Sequence, residues 1–431
     1  MIGVRRQTQI YIDGLSGRRP RIPLDAGRLE HAAQKRMRPE AFAYIAAGAG
    51  HERTIAANRA AFDRWRIVPR ILRDVEHRDM SVELFGQRLN SPFLLAPVGV
   101  LELAHPEADC AVARAARDTG TGMVLSNQAS RPMEGISRIL GDTPHWFQLY
   151  WSRSDELVAS LAERAERCGC CGIVITLDTT LLGWRTRDLE GAFLPFLRGK
   201  GLAQYTSDPA FTRLITEEPL PPPEQEPRRT LATLRALIEL TRAYPDSFWR
   251  TLRSGRGRAA VQRFSEIYSR PSLTWDTLAF LRERTELPIV LKGILHPDDA
   301  ARAVAEGMDG VIVSNHGGRQ VDGAVATLDA LPGVVDAVGG RIPVLLDSGV
   351  RGGADIFKAL ALGARAVLIG RPYVYALGIA GRDGVRDLLL NLAADFDLTM
   401  GLAGCRSVAD IGPDSLMPGP GLESVSSPAG W

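Results

Sequence analysis

The stretch GVIVSNHGGRQVDG (Gly310 to Gly323) decides the fold and points to the chemistry. Its core, Val311-Ile312-Val313, is an apolar β-branched run, the pattern of a strand buried on both faces of a parallel sheet. The run stops at Ser314-Asn315-His316, and two glycines then set Arg319 three residues beyond His316. In a barrel of alternating strands and helices, catalytic groups stand at the carboxyl ends of strands. An imidazole and a guanidinium on one such turn act together, the first taking a proton and the second holding an anion. The competing reading is a histidine that caps the next helix beside an arginine in solvent, and the rest of the chain weighs against it.

Seven further runs match this one: PFLLAPVGV (92–100), GMVLSNQ (122–128), WFQLYW (146–151), GIVITLDTT (172–180), PIVLKGI (288–294), PVLLDSGV (343–350) and AVLIGRP (366–372). Most are separated by helical patterns, which fits βα units closing into a (β/α)8 TIM barrel. Nearly all turn polar at the C-terminal end, at Ser126, Gln148, Tyr150, Thr176, Asp178, Lys292, Asn315, His316, Asp347 and Arg371. Polar ends on most of eight strands describe a site. Residues 1–90 read as an N-terminal extension, with Leu29–Ala47 an amphipathic helix ending at Gly48. Residues 91–410 read as the barrel, and 411–431 as a Pro/Gly/Ser-rich tail. The gap after strand four is too long for a βα loop. It holds a proline-rich stretch (219–227) and helical patterns around Leu231–Ala243 and Phe248–Ser269. Its aromatic content is too high for disorder, so about 190–272 is expected to fold as a lid over the barrel mouth.

A formal charge of +2 on 431 residues argues against a nucleic-acid or anionic-membrane partner. No window resembles a membrane span, and the first residues lack the apolar core of a signal peptide, so the expectation is a cytoplasmic protein. Five cysteines, including the CGCC cluster at Cys168, Cys170 and Cys171, read as buried reduced thiols rather than a metal or redox site. Only four of the 52 basic residues are lysines, yet Lys292 interrupts an apolar run.

DSGVRGGAD (347–355) and IGRP (369–372) offer glycines for close backbone approach beside Arg351 and Arg371, as a phosphate site after strands seven and eight would. Gln148 and Thr176 suit the edge of a heteroaromatic ring. A charge at Lys292 suits a group that becomes anionic, as a reduced flavin does.

With these motifs, together with YIAAGAG (44–50), FQLYW and TLDTTLLGWRTRDL (176–189), the chain resembles the FMN-dependent 2-hydroxy acid oxidase family over about residues 30 to 410. The long insertion and GWRTRDL are most similar to its lactate 2-monooxygenase branch. The resemblance implies His316 as base, Asp178 as its orienting carboxylate, Arg185 and Arg319 as the substrate-carboxylate clamp, Tyr44 as a further carboxylate contact and Tyr150 near the substrate hydroxyl. For FMN it implies Pro97, Val98, Gly99, Ser126, Gln148, Thr176, Lys292, Ser314, Asp347, Ser348, Gly349, Val350, Arg351, Gly370 and Arg371. It further implies oxidation of a short L-2-hydroxy acid, L-lactate first, with O2 and coupled decarboxylation to acetate, CO2 and water, in a homotetramer or homo-octamer without a metal. The alternatives are a simple oxidase giving keto acid and H2O2, or a dehydrogenase with another acceptor. Outside this class stand an isomerase or lyase of a phosphorylated metabolite, a flavoenzyme oxidising a peptide end, and a non-catalytic scaffold. The sequence departs from the family pattern at Thr180 and Thr186, where proline is usual. Gln128 stands in place of a bulky aromatic, and Gly99 in place of alanine.

Overall fold

A computed structural model describes residues 2–217 and 228–419. Eight parallel strands close into a barrel: β1 (Phe93–Leu95), β2 (Gly122–Leu125), β3 (His145–Leu149), β4 (Ile173–Thr176), β5 (Ile289–Ile294), β6 (Gly310–Val313), β7 (Val344–Leu346) and β8 (Ala366–Ile369). Seven lie within their runs, and β3 begins one residue ahead of its own, at His145. Strand β8 pairs back onto β1, with Leu368 opposite Leu94.

The period-2 alternation of strands explains both the core and the site. One residue per strand points inward to fill the lower barrel: Leu94, Val124, Trp146, Val174, Val290, Ile312, Leu345 and Leu368. Their outward neighbours, such as Phe147, Ile175 and Val313, pack beneath the surrounding helices. The N-terminal end is plugged by the hairpin Val82–Leu84/Gln87–Leu89, whose Phe85 stands edge-on to Trp146, ring centroids 6.4 Å apart. Two residues beyond the apolar layer, on the same inward face, the strands carry Ala96, Ser126, Gln148, Thr176, Lys292, Ser314, Asp347 and Gly370. The change from apolar to polar along one face divides a packed base from a chemical mouth.

The extension differs from the expected single helix over Leu29–Ala47. Two helices form, Ala26–Arg36 and Pro39–Ala46, because Pro39 bars the helical conformation at Arg38, which is extended (φ −63°, ψ 142°). A further helix, Ile2–Leu15, packs on the long C-terminal helix Arg371–Ala403, where a Cβ at Gly3 would lie 2.5 Å from Leu398. Gly3 N–H donates to Asp397, which also takes both a 2.8 Å Nε and a 2.8 Å Nη2 bond from Arg78.

The segment between β4 and β5 contains the expected helix Leu231–Ala243, but the Phe248–Ser269 pattern splits into Phe248–Ser254 and Arg256–Ile267 at Gly255, which is left-handed (φ 66°). The proline-rich 219–227 lies outside the described residues. The expected tail from 411 needs correction at its start. Leu416–Pro418 pairs antiparallel with Trp65–Ile67, and Val68 N–H donates to the Ser415 carbonyl, so the described part of this segment completes a two-stranded sheet. Residues 420–431 lie outside the described part. The five cysteines are free thiols. Among the described residues no helix is long and apolar enough to cross a membrane.

Candidate active site

A cavity of about 1400 Å³, its open mouth included, occupies the C-terminal end of the barrel. Its wall includes Pro97, Val98 and Gly99 after β1, Lys292, and the Asp347–Arg351 turn with Gly370 and Arg371. Tyr44, Tyr150, Arg185, His316 and Arg319 line it as well. Ser126, Gln148, Thr176 and Ser314 face inward on their strands and are buried without forming part of that wall. Gln148 Oε1 accepts from Asn127 N–H at 3.0 Å, but its Nε2 and the Thr176 hydroxyl have no hydrogen-bond partner. A buried donor left alone costs about 1–3 kcal/mol, so such atoms mark where a polar ligand edge belongs.

Lys292 is held by three groups. Its ammonium donates to Ser314 Oγ at 2.9 Å and lies 3.1 Å from Asp347 and 3.9 Å from Asp178. Burial disfavours its charge, but the two carboxylates outweigh that and raise its pKa.

His316 and Asp178 come from strands that are not neighbours, β6 and β4. His316 Nδ1 lies 2.7 Å from Asp178 Oδ1. Asp178 therefore fixes the tautomer with hydrogen on Nδ1, leaving Nε2 as the acceptor. Burial lowers the His316 pKa, and Lys292 adds to this against the pull of Asp178, so the imidazole is neutral at pH 7. For Asp178 burial acts upward. The charges of His316 and Lys292, with hydrogen bonds from His316 and Thr179, outweigh it and bring the carboxyl to about 2. The His316 turn is left-handed (φ 57°), as is Ser348 (φ 74°), and the two are tied where Gly317 N–H donates to Ser348 Oγ at 2.9 Å. Non-glycine residues in this region carry strain that surrounding contacts must hold.

Four buried or half-buried guanidiniums face the cavity without a carboxylate partner among the described residues. Arg319 Nη1 donates to the carbonyls of Tyr44 and Ala47 at 2.7 and 2.8 Å, and its guanidinium lies 5.2 Å from the centre of the Tyr44 ring. Burial, then the nearby Arg185, lower its pKa to about 9. Arg185 donates from Nε to the Arg319 carbonyl at 3.2 Å and from Nη2 to Gln320 Oε1 at 3.0 Å. Arg351 makes one side-chain bond, to its neighbour Val350's carbonyl, and burial followed by the charge of Arg371 brings it to about 10. Arg371 is braced on every nitrogen, to Ile45, Gly317 and Ala47 carbonyls at 3.1, 2.8 and 2.9 Å. Concentrating positive charge against desolvation, without a carboxylate in reach, is the signature of anion sites.

Tyr150 is buried, which raises its hydroxyl to about 12 and keeps it protonated. Over the mouth, the segment after β4 supplies Leu194, Phe196, Phe264 and Tyr268. Phe196 meets Tyr44 edge-on at 6.5 Å and Phe264 at 5.2 Å, and Phe264 stacks on Tyr268. Gly99 has a packing reason: a Cβ there would lie 2.9 Å from both the Cβ and the carbonyl oxygen of Gln128.

A model of the FMN-dependent dehydrogenase family matches residues 33–418. The chain belongs to that family. It is 41% identical over 411 residues to the FMN-dependent alpha-hydroxy acid dehydrogenase qulF of Penicillium citrinum, covering 95% of this chain and 94% of that protein. It is 38% identical over 402 residues to an L-lactate oxidase of Lysinibacillus sphaericus, covering 93% and 95%. A crystal structure of mandelate oxidase superposes with a TM-score of 0.73 at 36% identity, covering 92% of this chain and 98% of that one. FMN is the cofactor, and the chain is an oxidoreductase acting on 2-hydroxy acids. The residues present fit that group: the lone donors of Gln148 and Thr176 would suit a ring edge, and Arg351, without a carboxylate partner among the described residues, would suit a phosphate beside the glycine-rich turn.

Three side chains that build this geometry, Thr179, Asn58 and Gln320, were not singled out by the sequence reading. Thr179 donates to Asp178 Oδ1 at 2.8 Å and lies 3.3 Å from His316 Nδ1. Asn58 and Asn315 exchange reciprocal amide bonds of 2.9 and 2.8 Å, binding the extension to the end of β6. Gln320 reaches across to the β4 loop. Gln320 and Thr179 adjoin the named residues Arg319 and Asp178, and that adjacency was the available signal.

Proposed function

We propose that the chain oxidises a short L-2-hydroxy acid, L-lactate first, with O2. The observation that carries this reading is the 2.7 Å contact of His316 with Asp178 at a cavity wall shared with Arg185 and Arg319. A 2-hydroxy acid presents a carboxylate that two guanidiniums bind in a fixed plane. With the carboxylate held by Arg185 and Arg319, and by the hydroxyl of Tyr44, the hydroxyl-bearing carbon faces His316 Nε2. That atom takes the proton leaving the substrate. Asp178 and Thr179 keep the ring oriented, and the Asp178 charge stabilises the imidazolium once formed. Tyr150 donates to the substrate hydroxyl oxygen. FMN, when bound, accepts the two electrons and passes them to O2. Gln148, Thr176, Ser126, Ser314, Lys292, Pro97, Val98 and Gly99 would hold its ring. Asp347, Ser348, Gly349, Val350, Arg351, Gly370 and Arg371 would hold its chain and phosphate.

The aromatic cover of Phe196, Phe264 and Tyr268 slows exchange with solvent. A keto acid retained beneath it favours the coupled outcome of acetate, CO2 and water. The relatives named L-lactate oxidase support the second reading, release of keto acid and H2O2, and those named dehydrogenase support another acceptor. Product and peroxide per O2 consumed decide between them: acetate without peroxide supports the first, and stoichiometric pyruvate and peroxide refute it. The assembly proposed is a homotetramer or homo-octamer, read by light scattering.

A further inference from the structure

We propose that Gln320 is a positioning residue that locks Arg185, and so sets the substrate clamp against the histidine that faces it. The inference rests on the function proposed above and adds a group to it. Four of the side chains argued to bind substrate or set its base stand on two loops: Asp178 and Arg185 after β4, His316 and Arg319 after β6. Gln320 joins those loops at the Arg185 end, as the His316–Asp178 bond joins them at the base. Its Nε2 donates to the carbonyls of Asp178 and Leu181 at 2.7 and 2.8 Å. Its Oε1 accepts from Arg185 Nη2 at 3.0 Å and, more weakly, from Gly183 N–H at 3.4 Å. All four bonds open to a primary amide are made, and they run to four residues of one loop.

The same contact shapes the loop around it. At Gly183 a Cβ would lie 2.5 Å from the Arg319 carbonyl oxygen and 2.7 Å from that of Gln320, so the two backbones touch where no side chain fits. Arg185 is thus pinned at Nε by the Arg319 carbonyl and at Nη2 by the Gln320 amide, while Nη1 makes no hydrogen bond among the described residues. A buried guanidinium fixed at two corners presents the third in one direction, which is what recognition of a planar carboxylate requires. Asp178 is differently secured. Its carboxylate is held by His316, Thr179 and Lys292, none of which depends on Gln320. Loss of the amide therefore acts on substrate binding through Arg185 more than on proton removal at His316.

The test is anaerobic reduction of the FMN-loaded enzyme by L-lactate, or by the best donor of a 2-hydroxy acid panel, followed by stopped-flow absorbance. Saturation gives a substrate dissociation constant separately from the limiting rate. Gln320→Met keeps the length of the side chain and removes every bond. It should raise the dissociation constant about tenfold or more with a limiting rate within about threefold of wild type and an unchanged flavin content, as expected when one charge-assisted hydrogen bond is lost. Gln320→Glu keeps the shape, sets an oxygen against two carbonyls and neutralises Arg185, so its effect on the dissociation constant should be at least as large. The double variant Gln320→Met/Arg185→Met should be no worse than Arg185→Met alone, because residues acting through one another are not additive. A dissociation constant unchanged in both single variants overturns the proposal. So do effects of the two substitutions that add, which mark Gln320 as structural support independent of Arg185. If wild type is reduced by no 2-hydroxy acid, the functional reading itself falls and this inference with it.

Discussion

The two arginine pairs at the barrel mouth are buried or half-buried, without carboxylate partners among the described residues, and held in contrasting ways. Arg185 and Arg319 are each pinned by neighbouring loops while keeping nitrogen atoms without a partner among the described residues. In the other pair the duties are split: Arg371 is braced on three carbonyls, while Arg351 has one bond to its neighbour. On the proposed function, the difference matches what each pair would recognise. A small carboxylate would have to be presented to His316 in one orientation, which fixed forks favour. A phosphate is close to isotropic, and backbone N–H groups of a glycine-rich turn would share the work, so one lightly held guanidinium beside one braced one would be sufficient.

That contrast breaks or sharpens under substitution. His316→Ala removes the proton acceptor between the two pairs and leaves both intact; FMN should stay bound while anaerobic reduction by L-lactate slows by about 10³-fold or more. Near-normal reduction would refute its assignment as the base. Arg319→Met should lower kcat/KM by about 10²-fold, the loss of a charge-assisted bidentate contact, with flavin content unchanged. Arg351→Met should do the reverse, weakening FMN about 10- to 100-fold in a fluorescence titration of apoenzyme while substrate affinity of the reloaded enzyme changes little. Equal effects of the two substitutions on flavin and substrate would erase the distinction between the pairs.

The pH profile gives a smaller, graded effect. Because burial holds His316 below the ordinary value of about 6.5, the neutral, proton-accepting form dominates at pH 7. kcat/KM should therefore stay flat from pH 7 to 8 and fall tenfold per unit only below the lowered value. A decline beginning above pH 7 would require a raised histidine and contradict the burial. The mildest change is Gly99→Ala. Its methyl would press on Gln128, so thermal unfolding should show a loss of about 1–3 kcal/mol, the usual cost of overpacking, and FMN should still bind.

Much of this was readable from the chain because strands alternate strictly. Trp146, Gln148 and Tyr150 are two residues apart, so one inward-facing row could be followed from packed core to cavity without coordinates. Lys292 stood out for the same reason, as a charge on an otherwise apolar run. What escaped reading depends on partners far away in sequence. Gln320 bonds carbonyls some 140 positions earlier, and carbonyls carry no residue-type signal. Arg371, expected at a phosphate, is engaged by Ile45, Ala47 and Gly317 for the same reason. The helix break at Pro39 was local and visible, but the amphipathic pattern on either side masked it.

The carbonyls that seat Arg319 belong to Tyr44 and Ala47, made 275 and 272 residues earlier in the chain. The first part of the pocket to leave the ribosome must therefore wait for nearly two thirds of the protein before it meets its guanidinium. Arg371 leans on the same segment from farther still, taking the Ile45 and Ala47 carbonyls 326 and 324 residues earlier. In a refolding time course, colour and competence should therefore arrive together, once the extension has docked.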